Sequence, residues 1–233
     1  MSYTPDEMMT IAAARLLWPG CVCFVGIGVP SAAANLARLT HAPELELIYE
    51  SGTIGARAEV LPLSIGDGEL AETAQAVVSV PEIFGYWLQS GRIDVGFLGA
   101  AQIDRYGNLN STVIGGYDEP SVRLPGGGGA PEIAIGVENV FVMLRHSPRA
   151  FVERLDFTTS LGDNLRVVIT DLGVLERRDG ELALVSVHPG VDVGDVLAAT
   201  GWHLRVADDL GETEPPTDEE LTALRALRTK GSG

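Results

Sequence analysis

The chain has 233 residues, 45% of them hydrophobic but only 6% aromatic, enough for a sizeable core built mostly from Ala, Val, Leu and Ile. Its 32 acidic residues against 16 basic ones leave a net charge of -16. That balance offers nucleic acid no basic footprint and argues against an anionic membrane surface, while a small phosphate-bearing ligand stays open to local cations, glycine amides or a partner subunit.

The opening "MSYTPDEMMTIAAARLL" carries acids and lacks the basic start, apolar stretch and cleavage site of an export signal. No apolar run reaches the roughly 18 residues of a membrane span, so a soluble, cytoplasmic protein is expected. Thr4-Pro5-Asp6-Glu7 opens a helix, with Thr4 as N-cap, Pro5 in the first turn and acids at the positive dipole end. That helix runs to about Leu17 and stops at Pro19-Gly20. "CVCFVGIG" is a strand ending in glycines. Cys21 and Cys23 alternate along it and point to opposite faces, so a disulfide between them is geometrically poor. Without further ligands nearby they read as buried thiols of a cytosolic protein. "VPSAAANLARLTH" follows as a small-residue helix, and "LELIYE" (45–50) as the next strand.

"VPEIFGYWLQSG" is expected as a helix ending at Gly91, and "RIDVGFLGA" (92–100) as a central strand, too apolar for an exposed edge. "NVFVMLRH" and "LRVVITDLGVLE" read as further strands. "LALVSVHPG" and "VDVGDVLAATG" continue the strand-then-helix alternation, and "PTDEELTALRAL" is a capped amphipathic helix. "GETEPPTDEE" is the one linker-like segment, and "KGSG" at the end is expected to fray. The alternation predicts a layered α/β fold with a mostly parallel sheet and helices on both faces. It spans one domain over 1–233, with 215–233 as a C-terminal helix and tail.

Ligands of parallel α/β sheets bind outside the carboxyl ends of strands, which directs attention to three loops. Gly26-Ile27-Gly28-Val29-Pro30 is half of a dinucleotide fingerprint, and a tight strand-to-helix turn explains it better. Glu50-Ser51-Gly52 places a carboxylate where the chain must bend, although a Glu ending a strand is usually solvated or salt-bridged. "RLPGGGGAPE" (123–132) holds four consecutive glycines, Gly126 to Gly129. Their permissive backbone can turn several N–H groups toward one point as an anion cradle, or they form a flexible surface loop. Between the last two lies a long irregular stretch containing Gln102, Asp104, Asn108 and Asn110, of the kind that is commonly functional. His146 and His188 fit no triad or metal set and read as ordinary core or surface histidines.

"YESGTIGA", "LPLSIGD", "GRIDVGFLGAAQIDRYGNLNSTVIG", "RLPGGGGAPEIA" and "FVERLDFTTS" together resemble the β subunit of class I CoA-transferases, most like the glutaconate CoA-transferase type, across roughly residues 4 to 210. The resemblance implies two related α/β subunits with the active site between them, an α-subunit partner, and an α2β2 or larger assembly. It makes Glu50, in an E-[SN]-G turn, the nucleophile that attacks an acyl-CoA thioester. Ser51 matches the glutaconate-type turn. An acyl-glutamyl anhydride and then a glutamyl-CoA thioester follow, which is covalent catalysis with ping-pong kinetics. The oxyanions formed need fixed donors. Gly126, Gly127, Gly128 and Gly129 are the candidates, with Gly99, Ala100 and Gln102 as weaker ones; Ser51 and Gly52 stand beside the nucleophile. Gly26 and Gly28 are expected to shape the CoA cleft. No metal or cofactor is required, since CoA esters enter as substrates. Two alternatives accompany this expectation: an acyl-CoA hydrolase or decarboxylase with Glu50 as base, and a non-catalytic CoA-ester-binding subunit.

Overall fold

A computed structural model describes residues 1–58 and 60–230; the expected fraying of residues 231–233 lies outside the described residues. The chain groups into two compact units, one formed by residues 1–97 and the segment from Pro216 onward, the other by Leu98–Pro215.

The first unit begins with α1 (Pro5–Ala14). Its Thr4 hydroxyl accepts the Glu7 N–H while the Glu7 carboxylate accepts the Thr4 N–H, a reciprocal cap that satisfies two orphan donors. β1 (Val22–Phe24) leads through a glycine loop into α2 (Val29–Leu39), and β2 (Glu46–Ile48) follows. β1 pairs in parallel with β2, Phe24 opposite Ile48. β3 (Thr53–Ile54) returns antiparallel to β2. After the short α3 (Gly68–Glu72), β4 (Ala76–Val77) adds to β3, again antiparallel. The expected helix at 80–91 is α4 (Val80–Glu82) continued by a π-helical segment, Ile83–Leu88. Its wider turn is seen in the Gln89 N–H bonding to the Phe84 carbonyl and Arg92 to Trp87. β5 (Val95–Leu98), all buried, pairs in parallel with β1. The order β5-β1-β2-β3-β4 thus has a parallel heart extended by antiparallel strands. Cys21 and Cys23 are both buried and unpaired; burial pushes the Cys21 thiol up to about 12.

The second unit carries two small antiparallel pairs: β6 (Gln102–Ile103) with β7 (Leu109–Asn110), and β8 (Val113–Gly115) with β9 (Pro120–Arg123). α5 (Ala130–Gly136) then leads into β10 (Asn139–Met143), which pairs in parallel with β11 (Leu165–Ile169). The run 165–176, expected as one strand, is a hairpin: β11 turns into β12 (Gly173–Arg178), antiparallel. The Thr170 hydroxyl makes the turn, accepting the N–H groups of Leu172 (3.1 Å) and Gly173 (3.0 Å). A short polar side chain that caps its own backbone breaks an apolar run that hydropathy reads as continuous. β13 (Glu181–Val187) continues antiparallel, and α6 (Val193–Ala198) is capped by Asp192. β14 (Arg205–Glu212) pairs in parallel with β13; it is largely exposed and charged, so no alternation announces it.

The final helix, α7 (Asp218–Lys230), belongs to the first unit and packs with α1 and α2. Two forked ion pairs fasten it there. Arg15 donates to Glu220 through Nε and Nη2, both at 2.7 Å, and Arg225 to Glu7 at 2.7 and 3.1 Å. Among the described residues no helix is long and apolar enough to cross a membrane.

Candidate active site

Strand β2 ends at Ile48 and the chain reverses at once. The Tyr49 N–H donates to the Thr53 carbonyl and the Gly52 N–H to the Tyr49 carbonyl, both at 3.0 Å. Glu50 and Ser51 therefore form the tip of a tight hairpin at the carboxyl end of a parallel strand. Gly52 makes the reversal possible. Its φ is +110°, and a Cβ there would collide with the Val78 carbonyl oxygen. The Val78 N–H in turn donates to the Gly52 carbonyl at 2.9 Å, so the residue that follows β4 holds the turn from outside. Only glycine satisfies both the dihedral and the space.

Glu50 is half-buried, and its carboxylate has no hydrogen-bond or ion-pair partner among the described residues. Ser51 Oγ and Thr53 Oγ1 are buried and equally without a partner. Buried polar groups are normally paired; here a carboxylate and two hydroxyls within four residues have no partner among the described residues. The hairpin beneath them is fixed. The Tyr49 ring is buried with its hydroxyl 3.4 Å from Ser31 Oγ. Asn35 Nδ2 donates to the Ser31 carbonyl (2.9 Å), and Arg38 reaches the Asn35 Oδ1 (2.8 Å) and the Ala56 carbonyl (2.6 Å). Burial raises the Tyr49 phenol, which stays neutral. This polar ladder along α2 has no signal in the sequence beyond three polar residues spaced four and three apart in an otherwise alanine-rich helix.

Gly26 and Gly28 leave the carboxyl end of β1, the strand next to β2, and so lie at the same edge of the sheet as Glu50. Gly28 takes φ +75° as the residue before α2. It lines a cavity of about 380 Å³ with Val29, Ala32, the Leu61–Leu63 stretch and Arg228.

Within the second unit the other candidates fall into two groups. In the glycine loop, Gly126 (φ +99°) and Gly128 (φ +52°) adopt backbone that favours glycine. The Gly126 N–H is engaged with the Ser111 carbonyl (2.8 Å), and Ser111 Oγ donates back to the Gly126 carbonyl (2.9 Å). The N–H groups of Gly127, Gly128 and Gly129 find no acceptor among the described residues. Thr159, from the "FTTS" stretch, braces the loop: its Oγ1 accepts the Ser111 N–H (2.9 Å) and meets Thr112 Oγ1 (2.7 Å). Gln102 is 6% exposed, and its amide is largely committed. Nε2 donates to Asp156 (3.0 Å), while Oε1 accepts from Asn110 Nδ2 (2.7 Å) and the Asp156 N–H (3.2 Å). Its geometry is that of a brace for the β6–β7 pair. Gly99 and Ala100 follow the end of β5, exposed and half-buried respectively. Thr159 and Asp156 are not among the residues the sequence singles out; a run of hydroxyls after an acidic residue is their only trace. Among the described residues no three His, Cys, Asp or Glu side chains gather as metal ligands would.

The model of the coenzyme A transferase family matches residues 6–199. The chain is 56% identical to the B component of the 3-oxoadipate CoA-transferase of Pseudomonas knackmussii, covering 98% of this chain and 95% of that protein. It is 31% identical to the B component of the glutaconate CoA-transferase of Acidaminococcus fermentans, over 96% and 92%. The crystal structure of glutaconate CoA-transferase from that organism superposes with a TM-score of 0.91, at 30% identity and covering 97% of this chain and 95% of that one. The decarboxylase AibA/AibB superposes equally well, TM-score 0.91, at 28% identity over 99% and 97%. These relatives are named as subunits or as two-component proteins. On these matches the chain belongs to the coenzyme A transferase family, as a β subunit.

Proposed function

We propose that Glu50 is the nucleophile of a CoA-transferase that moves CoA between an acyl-CoA and a free dicarboxylic acid, with 3-oxoadipate or a close β-oxo diacid as acceptor. The observation that carries this reading is the unpaired Glu50 carboxylate on a hairpin that only glycine at 52 can close. The acceptor class rests on the 56% identity to a component of a 3-oxoadipate CoA-transferase. The carboxylate attacks the thioester carbonyl, expelling CoA thiolate and forming an acyl-glutamyl anhydride. The thiolate then attacks the glutamyl carbonyl, releasing the first acid and leaving a glutamyl-CoA thioester. The acceptor acid reverses both steps. Each attack creates an oxyanion, and the Ser51 hydroxyl, without a partner among the described residues, has the chemistry to serve it. The assembly is an α2β2 or larger hetero-oligomer. A water-using hydrolase or decarboxylase would use the same carboxylate as a base and form no covalent thioester.

The test is intact-mass spectrometry of the chain, co-expressed with its α subunit and exposed briefly to an acyl-CoA without acceptor. A CoA adduct on Glu50, reduced by borohydride to the alcohol, is expected, and Glu50→Ala should form none. Consumption of acyl-CoA by an unmodified chain would overturn transfer in favour of hydrolysis.

A further inference from the structure

At the far end of α2 from the Glu50 hairpin, about 15 Å along the helix from Gly28, the first unit has a second cavity, of about 450 Å³. Its walls are apolar, from Leu39, Pro43, Ala226 and Leu227, except for two guanidinium groups, Arg38 and Arg57. Two cations opening onto one small cavity are unusual in a chain of net charge -16. The Arg57 side chain is exposed and has no acceptor among the described residues. Arg38 is held still by its bonds to the Ala56 carbonyl and Asn35, which leaves other N–H groups of its fork uncommitted. Burial first, and then repulsion from Arg57, draws Arg38 below its ordinary range. A negative charge between the two would relieve that repulsion, and an apolar tail would cover the walls at the usual gain per area.

We propose that this cavity is an effector site for an organic monoanion with a short apolar tail, such as a medium-chain carboxylate. The occupant would add a further bond to those that already hold the Arg38 guanidinium. Arg38 in turn holds the Ala56 carbonyl at the exit of the hairpin, and through Asn35 and Ser31 it reaches Tyr49, the residue before Glu50. The site therefore bears on the stability of the hairpin, independently of which reaction Glu50 performs.

The test uses the complex with its α subunit and octanoate as the probe, in chloride-poor buffer. Calorimetric titration should show one saturable site per chain, retained in Glu50→Ala, weakened at least tenfold in Arg57→Ala and lost in Ala226→Trp, which fills the cavity from an exposed position. Hydrogen exchange at the Tyr49, Gly52 and Gly55 amides should slow several-fold on binding in the unaltered complex and not in Arg57→Ala. No saturable binding at millimolar octanoate would overturn the proposal. So would binding that ignores both cavity substitutions, or binding that leaves the hairpin exchange unchanged. Inorganic phosphate binding as tightly as octanoate would overturn the assignment of an apolar-tailed ligand.

Discussion

Glu50 illustrates how much a single position depends on neighbours that contribute no chemistry. Its fitness for the proposed nucleophilic role comes from having no partner among the described residues and from being placed, and the placement is set by Gly52 and Val78. Gly52→Ala should cost at least about 1–3 kcal/mol from the left-handed backbone alone, with the clash against the Val78 carbonyl added. The expected outcome is a thermal midpoint lower by several degrees. It should come with a loss of turnover of about 100-fold, since a shift of about 1 Å in a reacting group is enough for that. Glu50→Asp should keep the fold and its midpoint while slowing turnover severely, because the carboxylate withdraws by one methylene; unchanged turnover would show that the glutamate is not the attacking group. The motif around Glu50 was legible because it is contiguous. Ser31, Asn35 and Arg38, which hold the hairpin from below, were not, because a polar residue on a helix announces its partner only once the strand it faces is in place.

At the scale of elements, the β11–β12 hairpin is tied to two buried histidines through Thr170. His146 stacks on Phe151 with ring centroids 3.7 Å apart, and its ring nitrogens lie 3.4 Å from Thr170 Oγ1 and 2.9 Å from Thr200 Oγ1. His188 Nε2 sits 2.8 Å from the Thr170 carbonyl. Burial lowers His146 from 6.5 to about 4 and lowers His188 as well, so both are neutral in the folded chain at neutral pH. In the unfolded chain His146 takes up its proton near pH 6.5. Stability is therefore full above that value, falls as the pH drops from 6.5 toward 4, and levels off below, a loss of about 3 kcal/mol from His146. Denaturant midpoints of the unaltered chain and of His146→Gln, compared at pH 7 and pH 4.5, should show a shallower pH dependence in the variant; identical slopes would contradict the assignment. That 165–176 reads as one strand, and that β14 passes unnoticed, have the same cause. Hydrophobic pattern reports burial, not direction, so a hydroxyl-capped reversal inside an apolar run and a charged strand at an edge both escape it.

Across the whole molecule, the C-terminal helix returns to the first unit and is fastened to α1 and the N-terminal residues. The hydrogen bonds from Arg225, together with Thr4, hold the Glu7 carboxyl down at about 2. A carboxyl lowered on folding contributes stability that is present above its ordinary value near 4.5 and is lost as the pH falls toward 2. Arg225→Met should reduce that acid-sensitive contribution, leaving the part due to Thr4, and loosen α7, seen as faster proteolytic cleavage in the preceding segment at 213–217; an unchanged cleavage rate would show that packing on α1 and α2 suffices.

The sequence by itself determined the layered α/β class, the family, the helix caps and the turn that carries Glu50, because each is written in contiguous residues through periodicity, capping chemistry or a local motif. Only the tertiary structure decided that Val78 makes Gly52 obligatory and that Arg38 supports Tyr49. It alone showed that Gln102 is bound up in a brace, that the Gly127, Gly128 and Gly129 amides find no acceptor among the described residues, and that α7 closes back on α1. Those outcomes depend on which atoms meet across long separations in the chain, and hydrogen bonds and excluded volume are settled by that meeting rather than by residue type.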